Sequence, residues 1–406
     1  MTYIEFFDKS VTENIYTTLA NPPEKLILVG SDKEWLKEHK KRYSALFKSK
    51  SISTNVSFKV INHNNLNACV DEISRIVEDD DECVFDLTGG NDLYLVAVGI
   101  VYEKYKNKKV KMHRVDIATD TVYDCDFDGV NVIGGNVPGI TVKDMINICG
   151  GKVIPYADDA SKGTYEWNMT PDFKDDIKKM WSISKLGFKD WNKLIRAFAK
   201  GVQDDTKLTA TCSSNAIDNL KTNRTINSII KDLEDSAFIK IKRVANDYEI
   251  AFKDKQVKRC LTKEGQILEM IVYIYACESG YNSVMNGVYI DWDGVLHTDD
   301  TDVFNEIDVI CMHNMVPVFI SCKNGNIESD ELFKLKTVAK RFGGKYSKKV
   351  IISTSLESTD SKNALRERAK EMDIAIIEIR RSTRDSDFRV EIGNLWHTAE
   401  SKKLYI

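Results

Sequence analysis

The chain has 406 residues, with 58 Lys or Arg against 62 Asp or Glu, and 42% of it is hydrophobic. At roughly 100–200 residues per domain, this length predicts two or three domains. Only 6 Pro and 21 Gly occur, which excludes collagen-like, Pro-rich and long disordered chains. The sequence shows no long apolar run and no signal-peptide pattern, so we expect a cytoplasmic protein with no membrane partner.

Short apolar runs alternate with segments of helical periodicity through the first third of the chain. The predicted elements are, in order, strand 25–30, helix 32–48, strand 56–61, helix 65–78, strand 83–87, helix 91–105 and strand 110–116. This alternation predicts an α/β, Rossmann-like domain whose parallel sheet is covered by helices on both faces. Residues 121–133 are predicted to add an antiparallel hairpin around Asp128-Gly129.

Two polar loops follow strands of this sheet, at the edge where such folds bind ligands. The residues that could contact a phosphate are Gly30, Ser31, Asp32, Thr88, Gly89, Gly90 and Asn91. Neither loop has the GxGxxG pattern of a dinucleotide fold or the GK[ST] of a P-loop. The sequence therefore leaves two interpretations open: a phosphate or nucleotide site, and a tight turn capped by Thr88 or Asn91.

The middle of the chain differs in character. Glycine-rich stretches and Pro155 indicate the end of the first domain, so we predict domains at 1–155, 156–260 and 261–406. Residues 172–201 are predicted helical, and strands at 238–244 and 248–252 flank a turn. Helices followed by a hairpin are typical of a winged-helix shape. A helical connector that only spaces two domains is the alternative.

The last domain carries the most specific chemistry. A helix at about 262–278 ends with Glu278, and two strands, 305–311 and 316–323, follow it. Because strand side chains alternate between faces, Ser321 and Lys323 are predicted to point the same way. The hairpin can thus bring a carboxylate, a hydroxyl and an ammonium group together.

Such a group suits the cutting of phosphodiesters. A hard divalent ion, Mn²⁺ or Mg²⁺, needs oxygen ligands, which Asp308 and a second acid can supply. Lys323 would stabilise developing charge. The second acid is Glu278 or Glu331, and the sequence does not decide between them. The helix at 329–342 is basic and suits a polyanionic substrate.

Residues 278–353 resemble the nuclease core of the PD-(D/E)xK superfamily, with Glu278, Asp308 and Lys323 at its motif positions. The sequence departs from that pattern at Ser321, where the superfamily usually has Glu. Some restriction endonucleases of the superfamily also have Ser there and use a glutamate of the next helix. That resemblance makes Glu331 the natural substitute.

The N-terminal domain resembles the CARF domain, a sensor of CRISPR defence that binds cyclic oligoadenylate between two subunits. The similarity rests on the Gly30-Ser31-Asp32 and Thr88-Gly89-Gly90-Asn91 loops. With the nuclease-like core, the whole chain resembles the ancillary nucleases of type III CRISPR systems. The resemblance implies a homodimer that cuts DNA or RNA when cyclic tetra-adenylate or a related ring binds.

Two other classes of function stay open. One is a cyclic-nucleotide-responsive, DNA-binding transcriptional regulator with a degenerate nuclease core. The other, less favoured, is a small-molecule enzyme of the doubly wound class, whose usual motifs are absent. The sequence does not fix the ring size, whether the sensor degrades the ring, or the preferred nucleic acid.

Overall fold

The structure is a computed structural model. It describes residues 1–7, 13–61, 64–106, 109–117, 121–125, 131–132, 137, 139–156, 163–295, 303–354 and 360–397. Within these residues the strands form a seven-stranded, a three-stranded and a six-stranded sheet. No helix in these ranges is long and apolar enough to cross a membrane.

The seven-stranded sheet occupies the N-terminal part. Its strands are β1 (Thr2–Phe6), β2 (Lys25–Gly30), β3 (Asn55–Val60), β4 (Glu82–Asp86), β5 (Lys109–Asp116), β6 (Thr121–Asp124) and β7 (Asn131–Val132). The helices are α1 (Ile15–Ala20), α2 (Lys33–Ser49), α3 (Leu66–Glu78), α4 (Asp92–Tyr105) and α5 (Val142–Ile148). The strand order is β3-β2-β1-β4-β5-β6-β7, and the first five strands are parallel. The predicted Rossmann-like α/β class is confirmed.

The central strand β1 is absent from the sequence prediction. All five of its residues are buried, including the charged residue Glu5. Burial raises the pKa of Glu5 well above its usual range, and Thr18 donates a hydrogen bond to its carboxyl group. A protonated glutamate carries no charge and is tolerated in a core. The strand is therefore stable although the hydrophobic pattern of the sequence does not indicate it. The predicted Asp128-Gly129 turn lies outside the described residues.

The middle part has the order of elements of a winged helix. After β8 (Lys152–Val153) come α6 (Pro171–Ser184), α7 (Phe188–Gly201), β9 (Thr209–Ser213), α8 (Ser214–Lys221), α9 (Arg224–Asp235), β10 (Ile239–Val244) and β11 (Asp247–Phe252). The strands form an antiparallel sheet in the order β10-β11-β9. The segment predicted as helical, 172–201, divides before Gly187, which caps α7.

The C-terminal part contains α10 (Lys255–Thr262), α11 (Gln266–Cys277), β12 (Ser283–Asp291), β13 (Phe304–His313), β14 (Val316–Lys323), α12 (Ser329–Gly343), β15 (Lys348–Ser353), α13 (Asp360–Glu371), β16 (Ile374–Glu378) and α14 (Asp385–Gly393). The sheet order is β16-β15-β14-β13-β12-β8. β8 pairs with β12, so sheet membership changes before the predicted domain limit at residue 155. The domain limits stay predictions.

Candidate active site

Asp308 lies where the β13–β14 ladder ends, beside the pair Val309 and Ile320. Its Oδ2 accepts hydrogen bonds from the backbone N–H of Cys322, at 2.6 Å, and from Ser321 Oγ, at 3.2 Å. Burial raises the pKa of Asp308, although the charge of Lys323 and the Cys322 N–H oppose this. The carboxylate is thus fixed across the hairpin by its neighbour strand.

Lys323 ends β14 and reaches the first turn of α12. Its Nζ lies 3.0 Å from Oε2 of Glu331. Burial lowers the pKa of Lys323, but the negative charges of Asp308 and Glu331 outweigh this and raise it. The structure therefore brings together four predicted site residues, namely Asp308, Ser321, Lys323 and Glu331; their roles stay predictions.

Glu278 is not brought to this group. It caps the C-terminus of α11, where its Oε1 lies 2.7 Å from Lys178 Nζ and its Oε2 lies 3.5 Å from Arg389 Nη1. Two cations from other helices therefore hold its carboxylate. Glu278 thus does not join the hydrogen bonds and ion pairs that link Asp308, Ser321, Lys323 and Glu331 in the described residues, and its role as a metal ligand stays a prediction.

Glu269, in the first turn of α11, contributes the carboxylate that the sequence prediction missed. The residue is 5% exposed, and its Oε2 accepts a hydrogen bond from Gln266 Nε2 at 2.9 Å. Burial and the negative charge of Asp308 raise its pKa to about 8, with Lys263 opposing the shift. One signal was present in the sequence: a glutamate between Leu268 and Met270, inside an otherwise apolar helical run.

A further carboxylate, that of Glu306, lies two residues before Asp308 on β13. Lys263 Nζ lies 3.1 Å from its Oε1, and the Tyr289 hydroxyl donates to its Oε2 at 2.7 Å. Burial would raise the pKa of Glu306, but these two partners lower it below the usual range. Glu306 is therefore ionised, and each of its two oxygens has a partner outside the group of Asp308, Lys323 and Glu331.

The carboxylates fit a hard divalent ion by ligand type. Glu269 is a buried oxygen donor and Asp308 a half-buried one. Beside burial, the negative charge of Asp308 raises the pKa of Glu269, and that of Glu306 raises the pKa of Asp308, so a bound cation would relieve this repulsion. Among the residues that the structure describes, no three Asp, Glu, His or Cys side chains form a ready-made metal site. The ligand types therefore suit a divalent ion, but the described side chains are not arranged as a complete set of metal ligands.

The two N-terminal loops lie at the carboxyl ends of β2 and β4, on either side of β1. Asp32 accepts from Trp35 N at 3.0 Å and caps α2, while Asn91 accepts from Tyr94 N at 3.0 Å and caps α4. The N–H of Thr88 donates to Asp86 at 2.8 Å, and its hydroxyl bonds the same oxygen. The side chains of Asp32, Thr88 and Asn91 therefore hold the loops in shape. A ligand would contact mainly the backbone groups of these loops.

The second loop approaches the start of the chain closely. A Cβ on Gly89 would lie 2.6 Å from the Phe6 carbonyl oxygen and would also overlap the Asn14 amide, and Gly90 has a positive φ of 102°. We therefore expect Gly89→Ala to destabilise the protein by about 1–3 kcal/mol. Gly99→Ala is the matched control, since nothing lies within 4 Å of its Cβ, and alanine should stabilise α4 by up to ~1 kcal/mol. Thermal unfolding of both variants would show opposite shifts; a neutral Gly89→Ala would contradict the close approach.

Two buried acids lie beneath these loops. Glu5 and Asp86 are register partners on β1 and β4. Burial raises the pKa of Asp86 to about 6, and that of Glu5 rises well above its usual range through burial and the charge of Asp86. Because Glu5 is held protonated, it opposes a nearby anion less than its type suggests.

The C-terminal region is similar in sequence to a known protein family. Residues 254–386 match the sequence model of the family described as "Card1-like, endonuclease domain". That range contains Glu269, Asp308, Lys323 and Glu331. This part of the chain is thus similar to Card1-like endonuclease domains.

Two solved structures share the fold of almost the whole chain. Protein VC1899 from Vibrio cholerae superposes with a TM-score of 0.75 at 17% identity, over 99% of this chain and 97% of that one. Can2 from Sulfobacillus thermosulfidooxidans, solved in complex with cyclic tetra-adenylate (cA4), gives 0.65 at 16% identity, over 98% and 97%. No curated protein sequence matches the chain significantly.

Proposed function

We propose that the chain is a metal-dependent nuclease that cyclic oligoadenylate activates, and that it cuts DNA or RNA in the cytoplasm as part of type III CRISPR defence. The observation that carries this proposal is the group formed by buried Glu269 and half-buried Asp308 and Lys323, in the region that matches the Card1-like endonuclease domain. Neighbouring acids with raised pKa values beside a lysine are costly to folding, and they are typical of catalytic sites.

Asp308 and Glu269 would hold a divalent ion, Mn²⁺ or Mg²⁺, with Glu331 as a further candidate ligand. Such an ion supplies charge neutralisation at the phosphate and lowers the pKa of bound water. Lys323 Nζ would donate to an oxygen of the scissile phosphate, where negative charge develops. Ser321 and the Cys322 N–H keep the Asp308 carboxylate in one orientation.

The N-terminal loops would bind the ring. Can2 shares the fold over 98% of this chain and was solved with cA4, which supports this assignment. The ligand would lie across two copies of the chain, against backbone groups of Gly30, Ser31 and residues 88–91. A ring that binds a closed state of the dimer more tightly than an open one would raise the population of the closed state, and the nuclease domains would move with it.

A cleavage assay tests the proposal. The purified protein is mixed with plasmid, single-stranded DNA and RNA in Mn²⁺ or Mg²⁺, with and without cA4. We expect products only when ring and metal are both present. Ring binding without any cleavage, for cA4 and for larger rings, would refute the nuclease and favour the regulator.

The regulator is the second candidate because the α7-β9-α8-α9-β10-β11 order is that of a winged helix. In that case the nuclease-like domain would serve dimerisation, and the loops would still respond to a nucleotide. Metal-independent binding of one DNA sequence over others would support it.

A further inference from the structure

Helix α7 carries a row of cations on its exposed side. Lys189, Lys193, Arg196 and Lys200 are all exposed and recur at intervals of four, three and four residues. That spacing places them along one side of the helix, over about 16 Å. We call this row the α7 stripe.

The α7 stripe borders a groove of about 470 Å³ between α7, β9 and α8. Lys193, Arg196 and Lys200 line one wall, and Thr211 and Ser213 of β9 line the other. Cations facing hydroxyl groups are the side chains that contact phosphates most often in complexes with nucleic acids. The groove therefore matches the chemistry of a phosphodiester backbone.

The same helix is joined to both flanks of the candidate active site. Asn192 and Asn324 exchange hydrogen bonds, with Nδ2 of Asn192 2.6 Å from the Asn324 carbonyl and Nδ2 of Asn324 2.6 Å from Asn192 Oδ1. Asn324 directly follows Lys323. On the other flank Arg196 pairs with Glu264 at 2.7 and 2.9 Å, next to Lys263. A nucleic-acid strand that runs from Lys323 along α7 would thus enter the groove.

Charge on the stripe is only partly balanced. Glu264 pairs with Arg196, and Asp190 lies 3.4 Å from Lys193. Lys200 forms no ion pair with any residue in the described part of the chain. Among the three cations that line the groove, Lys193 and Arg196 have acidic partners and Lys200 has none in the described residues. The groove wall is therefore net positive, and a polyanion that binds there gains free energy by releasing counterions.

The wing, the hairpin of β10 and β11, is the usual alternative in a winged helix. Its exposed cations are Lys240, Lys242 and Arg243, and Lys242 stands directly opposite Glu249 in the ladder. An acid at that distance lowers the attraction of the wing for phosphate. The groove along α7 is favoured over the wing because α7 also contacts the residue next to Lys323, through Asn192 and Asn324.

We propose that the α7 stripe and its groove bind the backbone of the nucleic-acid substrate and lead it to Lys323. The inference rests on the proposed nuclease function and names the path of its substrate. Because these contacts are to phosphate, they add affinity for long polymers without choosing a base sequence.

The test measures binding without catalysis. The double variant Lys193→Gln/Lys200→Gln is compared with the wing variant Lys240→Gln/Lys242→Gln and the natural protein, by fluorescence anisotropy of a long oligonucleotide in EDTA. DNA and RNA probes are both titrated with saturating cA4, from about 50 to 200 mM salt. We expect the α7 variant to bind about tenfold more weakly, with a log–log salt slope smaller by about 1.4 for two lost contacts to a single strand. The wing variant should bind normally.

An unchanged salt slope for the α7 variant, an equal loss in the wing variant, or no binding by the natural protein would each overturn the proposal. All four substituted lysines are exposed, and thermal unfolding confirms that the variants fold. Failure of the nuclease function gives a different result: the natural protein would bind in EDTA and never cleave with ring and metal.

Discussion

Replacement of Lys323 by alanine should lower the rate of nucleic-acid cleavage by about 10²–10³-fold, the usual cost of removing one donor to developing charge. Lys323 Nζ pairs with the Glu331 carboxylate, and the negative charges of Asp308 and Glu331 raise its pKa, so it is protonated at neutral pH. The measurement is the initial rate at saturating cA4 and Mn²⁺. Binding of cA4 should not change, since its proposed loops lie in another sheet.

Lys104→Ala is the control, because Lys104 is an exposed lysine in the last turn of α4, in the N-terminal part of the chain. It should cleave at the natural rate. If Lys323→Ala also kept the natural rate, Lys323 would be a structural partner of Glu331, and the regulator would become the better account. Loss of both cA4 binding and cleavage would instead indicate misfolding.

Much of the N-terminal fold is present in the sequence, because each buried parallel strand is an apolar run bounded by polar loops. The strand predicted at 25–30 matches β2, and the helix predicted at 91–105 matches α4 within one residue. β1 was missed because Glu5 interrupts its apolar pattern. Burial in the folded protein raises the pKa of that carboxyl group, and this allows residues 2–6 to form a central strand.

The candidate site was predictable where it depends on strands and not where it depends on a helix. A short hairpin fixes which residues face one another, so Asp308, Ser321 and Lys323 could be grouped from spacing alone. The choice between Glu269 and Glu278 depends on where α11 begins and on which turn packs against β13. Gly265, with a φ of 81°, separates α10 from α11 and puts Glu269 in the first turn. No local pattern reports that packing.

The variant Glu269→Gln should show the second large effect: it should lower the rate of cleavage and raise the stability of the metal-free protein. As a proposed metal ligand, Glu269 should be essential, and we expect cleavage to fall by at least about 10²-fold. The metal-free protein should nevertheless become more stable at neutral pH. A pKa of about 8 in the folded state, against 4.5 ordinarily, means that the folded protein keeps a proton that the unfolded chain releases.

Unfolding thus releases this proton between about pH 4.5 and pH 8, so the stability of the natural protein falls as the pH rises through that window. Glutamine never ionises and keeps the shape of the side chain, and it can still bond Gln266. At pH 7 the variant should be more stable by a few kcal/mol, on the order of one 1.4 kcal/mol step per pKa unit crossed. At pH 4 the two proteins should unfold at similar temperatures.

Thermal unfolding in EDTA at pH 4 and pH 8, with cleavage assays in Mn²⁺, measures both effects. Glu278→Gln is the control, because that residue pairs with Lys178 and Arg389 away from Asp308. It should cleave normally and lose at most about 1 kcal/mol of stability. A Glu278→Gln variant that loses activity, beside an active Glu269→Gln, would return the ligand role to the end of α11. Loss of activity together with higher metal-free stability in Glu269→Gln would mean that a costly buried charge is kept for the ion that it binds.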